Sequence, residues 1–137
     1  MWHGKKKALT FSYDDGVTQD IRLIDLLNKY KVDYDVFASS YYPYWHENST
    51  EPNNTSSLTT ALEYVATQYG KEVMVAETSW ATTWDDGDGH ENSAPRQGQN
   101  LQYDISVQGQ ADEMRAVVAA VNSVTNGIGV FYWEPAW

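Results

Sequence analysis

The chain has 137 residues, a formal charge of −10, 42% hydrophobic and 14% aromatic residues and no cysteine, which suits one globular domain. Without cysteine, a disulfide-built miniprotein, thiolate metal sites and thiol nucleophiles are excluded, while the redox compartment stays open. A pI near 4.5 repels a nucleic-acid backbone and no apolar run approaches the roughly 20 residues of a membrane helix, so neither nucleic acid nor membrane is expected as a partner.

In chain order, Ala8 to Tyr13 reads as a short strand ending in Asp14-Asp15-Gly16. Behind Thr18 and Asp20 as start signals, Ile21, Ile24, Leu27 and Tyr30 recur at helical spacing. Tyr34 to Ala38 is a second strand, followed by Ser39-Ser40-Tyr41-Tyr42-Pro43 and a polar loop to about Thr55. Leu58, Leu62, Val65 and Tyr69 form a helical stripe closed by Gly70, and Glu72 to Glu77 is a nearly continuous apolar strand of the kind buried on both faces. After a long acidic loop from Ala81 to about Gln108, a third helix should turn Met114, Val117, Val118 and Val121 inward and stop at Asn126-Gly127. Ile128 to Trp133 is the last strand.

This βαβαβαβ order predicts an α/β domain over residues 1–137 with a parallel sheet, either half of a TIM-type (β/α)8 barrel or an open flavodoxin-like sheet. Half a barrel leaves apolar strand faces and edges unpaired, which points to a homodimer. The charge is also uneven: Met1 to Lys31 carries six basic against four acidic side chains, and Val32 to Trp137 carries three against fifteen.

In parallel sheets functional residues gather at the carboxyl ends of strands. Those ends deliver Asp14-Asp15, Tyr41-Tyr42, Glu77 and Trp133-Glu134 to one rim. Glu77 ends an apolar strand and runs into Thr78-Ser79-Trp80 rather than a turn, which places its carboxyl group inside the rim. Glycoside hydrolysis uses two carboxyl groups, and Trp45, Trp80, Trp84, Trp133 and Trp137 near the same rim offer the flat apolar faces on which sugars stack. A single carboxylate after a strand is more often a helix cap or a solvated group; the gathering of all four strand ends carries the functional reading. Tyr30, Tyr34 and Tyr69 read equally well as core. In Asp85-Asp86-Gly87-Asp88-Gly89-His90-Glu91-Asn92, oxygen donors alternate at Asp86, Asp88, His90 (through its carbonyl) and Asn92, a spacing that could wrap calcium. It is not an EF-hand, because Glu91 and Gln97 stand where glycine and glutamate are required.

From about Lys31 to Trp137 the chain resembles the arabinogalactan endo-β-1,4-galactanases of glycoside hydrolase family 53. The likeness lies in Tyr34 to His46, Val75-Ala76-Glu77-Thr78-Ser79 and Gly129 to Trp137. The resemblance implies the sixth to eighth strands of a (β/α)8 barrel, Glu77 as the retaining nucleophile, Tyr41 or Tyr42 beside it, Trp133 next to the scissile bond and calcium in the acidic loop. β-1,4-Galactan or its oligosaccharides would be the ligand. The family's acid/base glutamate, carried in an Asn-Glu pair after an earlier strand, has no counterpart here.

Lys7 to Val17 is similar to the first motif of polysaccharide deacetylases, in which the first aspartate is a general base and the second binds a divalent metal. Asp14 and Asp15 match those positions, yet His3, His46 and His90 lack the paired spacing that a metal at Asp15 requires, so that metal is not expected. A seam near residues 30–32 coincides with the change in charge. Together these features point to an engineered or recombinant chimera of barrel fragments, 1–30 from one enzyme and 31–137 from another, with little or no activity. Two further readings stand beside it: a galactan hydrolase with Glu77 as nucleophile, and a non-catalytic sugar-binding module. Both parent families are mostly secreted, but no signal peptide is evident, so the sequence assigns no location.

Overall fold

The computed structural model describes residues 18–31, 34–45, 54–87, 89 and 94–133. Three helices and three strands alternate along them: α1 (Thr18–Lys29), β1 (Val36–Ser40), α2 (Thr55–Tyr69), β2 (Glu72–Thr78), α3 (Val107–Ser123) and β3 (Gly127–Tyr132). The strand expected at residues 8–13, with Asp14 and Asp15 after it, lies outside the described residues.

Each helix begins and ends where local chemistry allows. Asn54 caps α2, its side chain accepting the Ser57 amide at 3.1 Å, and Gly70 ends it in the left-handed conformation at φ 63°. Ser106 caps α3 in the same way, accepting the Gly109 amide at 3.0 Å. α1 is tied to the end of α2 by the Tyr69 hydroxyl, which donates to Asp25 at 3.0 Å.

The strands pair in parallel in the order β1-β2-β3. This order decides between the two expected architectures. A flavodoxin-like sheet would insert the first strand of the chain between the next two, whereas β1 and β2 are direct neighbours here, as in a barrel wall. The open-sheet alternative is therefore corrected, and the fold is part of a (β/α) barrel.

One face of the sheet carries the core. Val73 and Val75 are fully buried against Leu58, Leu62 and Val65 of α2 and Val117, Ala120 and Val121 of α3, with Phe37 and Val130 packed alongside. Such side chains each contribute about 1.5–3 kcal/mol on burial. Val36, Ala38 and Phe131, which alternate with Phe37 and Val130, are exposed on the opposite face.

One expectation for α3 needs correction. Val118 is 48% exposed, and the inward stripe is Gly109, Glu113, Val117, Ala120 and Val121. A glutamate thus occupies a core position that an apolar periodicity search passes over.

Candidate active site

Strict alternation along β2 would place Glu77 on the same side as Val73 and Val75, facing the helices. The register prevents this. Ser39 is opposite Val75 but Ser40 is opposite Glu77, and Val75 is opposite Val130 while Thr78 is opposite Tyr132. β2 therefore gains one residue against both neighbours between Val75 and Thr78, an irregularity that turns the following side chains over. Thr78, fully buried, takes the helix side, and Glu77, only partly buried, takes the other.

On that side Glu77 is oriented by two hydroxyls. Ser40 Oγ donates to Glu77 Oε2 at 3.1 Å and the Tyr42 hydroxyl donates to the same oxygen at 3.2 Å. The main chain is held equally well: the Tyr41 amide donates to the Glu77 carbonyl and the Trp133 amide to the Thr78 carbonyl, each at 2.8 Å. All three strands thus converge on one pair of residues.

A second cluster supports the segment after β2. Trp80 is 2% exposed and packs with Tyr42, Tyr44, Leu101, Tyr103 and Ile105. Its indole N–H donates to the Asp104 carbonyl at 3.0 Å, and its amide donates to the Tyr132 hydroxyl at 3.1 Å. Its carbonyl accepts from Tyr132 Oη at 3.0 Å and from Gln110 Nε2 at 2.8 Å. Tyr44 and Ser79 share a buried hydroxyl–hydroxyl bond of 2.9 Å.

Sequence reasoning missed Glu113. It is 1% exposed, Thr78 Oγ1 donates to its Oε1 at 3.1 Å, and its Oε2 has no hydrogen-bond partner among the described residues. Burial pushes its carboxyl group up to about 7, against a smaller lowering by the Thr78 bond. The only signal in the sequence is its place in the stripe Glu113, Val117, Ala120, Val121, Val124.

The expected rim residues divide accordingly. Tyr42 meets Glu77, whereas Tyr41 is 5% exposed and packs into the main core, where burial, with smaller contributions from Glu113 and Tyr103, raises its hydroxyl well above the usual tyrosine range. Trp80, expected to face sugar, has almost no free surface because its ring fills the cluster between β2 and α3. Trp133 is 44% exposed, and Trp45 is 47% exposed with its ring centroid 4.3 Å from that of Tyr42. Glu134, Asp14 and Asp15 lie outside the described residues, as do Asp88, His90 and Asn92. Of the expected cation ligands only Asp86 is described, and its Oδ1 already accepts the Gly89 amide at 2.9 Å. Among the described residues no group of three or more His, Asp or Glu side chains converges on a metal position.

A barrel rim with a hydroxyl-oriented glutamate and exposed tryptophans agrees with what comparison finds: the profile of glycosyl hydrolase family 53 matches residues 7–137. The chain belongs to glycosyl hydrolase family 53. It is similar to the endo-beta-1,4-galactanase of Bacillus subtilis, with 53% identity over 131 residues, 95% of this chain and 29% of that protein. A probable arabinogalactan endo-beta-1,4-galactanase A of Neosartorya fischeri is 33% identical over 135 residues, covering 95% of this chain and 32% of that protein. Among solved structures, the Ignisphaera aggregans GH53 catalytic domain superposes with a TM-score of 0.71 at 35% identity over 85% of this chain and 32% of that one. A chain from a structural study of two fungal beta-1,4-galactanases gives a TM-score of 0.65 at 27% identity over 88% of this chain and 34% of that one. The chain spans about a third of the length of these relatives.

These matches correct the chimera. The family profile runs through residues 30–32 and takes in all but the first six residues, so the expected seam finds no support, nor does a deacetylase-like segment. Asp14 and Asp15 fall inside the matched range.

Proposed function

We propose that this chain carries the nucleophile side of a galactan-hydrolysing site, with Glu77 attacking the anomeric carbon of β-1,4-linked galactose. The observation that carries the reading is the pair of hydroxyls from Ser40 and Tyr42 on one oxygen of a glutamate that the β2 irregularity turns away from the helices. Charge-assisted bonds of this kind orient a carboxylate. With Oε2 so held, Oε1 is the attacking oxygen. In a retaining glycosidase the partner acid sits about 5–5.5 Å from the nucleophile and protonates the leaving oxygen. The hydrogen bonds to the Glu77 carboxylate among the described residues come from hydroxyls, and in this reading the partner acid is a separate component of the site.

Trp133 and Trp45 flank Glu77 in this reading. Trp133 is tied to Thr78 through its amide, and Trp45 lies against the ring of Tyr42. Both offer exposed faces for galactose rings at the site. Membership of a family whose relatives are named galactanases supports the choice of β-1,4-galactan.

The test is reducing-sugar release from β-1,4-galactan by the chain and by Glu77→Gln. Release that Glu77→Gln abolishes supports the reading. Release that survives in Glu77→Gln, or a chain with no release at all, overturns it for this polypeptide.

A further inference from the structure

We propose that Glu113 is a positioning residue for Glu77: by holding the Thr78 hydroxyl on the helix side of β2, it fixes the irregularity that turns the Glu77 carboxylate to the rim. The proposal rests on Glu77 being the nucleophile.

The extra residue between Val75 and Thr78 is stable only if the side chain after it has a reason to point at the helices, because an apolar strand would otherwise keep its alternation. Thr78 is fully buried, and a hydroxyl there without a partner would cost the desolvation of a polar group. Glu113 supplies the acceptor at 3.1 Å from the facing helix, so the Thr78 side chain is satisfied only in this phase of the strand. Shifting β2 by one residue would bring Glu77 to the helix side, opposite a second buried carboxyl group.

Glu113 is suited to this role in its neutral form. Its Oε2 is buried without a partner among the described residues, an arrangement tolerable for a carboxylic acid and costly for a carboxylate. Burial shifts its titration in the same direction.

Glu113→Gln keeps the acceptor and the shape, Glu113→Leu removes the acceptor, and Thr78→Val removes the donor. The readout is hydrogen exchange at the Tyr41 and Trp133 amides, which donate to the carbonyls of Glu77 and Thr78 and so report the end of β2 directly. Relative to the amides of α2, protection at these two positions should fall about tenfold or more in Glu113→Leu and Thr78→Val, the scale of one lost buried hydrogen bond, and stay near the parent value in Glu113→Gln. If Glu113→Leu does not fold, Thr78→Val tests the same bond from the other end. Unchanged protection in Thr78→Val, or an equal loss in Glu113→Gln, overturns the proposal. Failure of the galactanase reading registers separately, as absent sugar release from the unsubstituted chain, and leaves the exchange readout intact.

Discussion

The Tyr42 hydroxyl donates to Glu77 Oε2 at 3.2 Å across a gap of 35 residues, joining the loop after β1 to the end of β2. Tyr42 is itself 4% exposed, so this donor is held by packing rather than by solvent. Replacing Tyr42 with Phe should keep the packing and remove one of the two hydroxyls on the carboxylate. Where the chain hydrolyses galactan, kcat should fall about tenfold with KM nearly unchanged, since the lost bond acts on the nucleophile and not on the sugar. A rise in KM alone would contradict this assignment.

Gly109 sits where any Cβ would collide with the Asp104 carbonyl, the atom that accepts the Trp80 indole N–H. Gly109→Ala should therefore lower stability by about 1–3 kcal/mol, even though alanine favours helices. For a chain of this size that is roughly 3–12 °C in Tm. Thermal unfolding followed by near-ultraviolet circular dichroism would detect both the shift and the disturbed environment of Trp80.

The buried Glu113 makes stability depend on pH with a definite sign. The unfolded carboxyl group titrates near 4.5 and the folded one near 7, so between these values the folded chain binds more protons. Stability is full below 4.5 and falls as pH rises to 7, by about 3 kcal/mol at most, or roughly 10 °C in Tm. The groups facing Glu113 do not offset this change. Tyr41 after β1 and Tyr103 before α3 are both raised, first by burial and then by Glu113 itself, and stay neutral throughout the window. Thr78 does not titrate, and Asp112 on the same helix is paired with Arg115 at 2.8 Å. In Glu113→Gln the fall should largely vanish, and an equal fall in both proteins would refute the assignment.

Phe131 is 65% exposed and Val36 36% exposed on the sheet face away from the helices. With Ala38 they form an apolar wall that a second copy of the chain can cover. Light scattering on the eluting protein should show a dimer at micromolar concentration, and Phe131→Asp should shift it towards monomer. A monomer at all concentrations would count against self-association.

How much of this was legible in the sequence follows from what periodicity can see. The apolar runs located α2, β2, α3 and β3, and Glu77 stands near the carboxyl end of β2, where the sequence reading had placed it. The irregularity in β2 was not legible, because a register shift is a relation between strands and leaves no mark in one of them. Glu113 was hidden for a related reason: its burial depends on Thr78, 35 residues away, offering a hydroxyl. Trp80 was misplaced because an aromatic ring serves a groove or a core equally well, and the Asp104 carbonyl that decides the matter comes from the long loop. The supposed seam at residues 30–32 arose from a charge boundary and one short motif, neither of which reflects a break in the family match.

Gln110 and Glu113 lie three residues apart on α3, and their targets, Trp80 and Thr78, lie two residues apart along the chain leaving β2. A helix and an extended chain advance by different distances and turn by different angles per residue, so the two grips match in only one phase. One inserted residue between Gln110 and Glu113 would rotate the second grip by about 100° and release Thr78. Insertions among residues 81–105 change no such phase. At this corner of the molecule the loop can change length without moving either grip, whereas α3 has to keep its residue count.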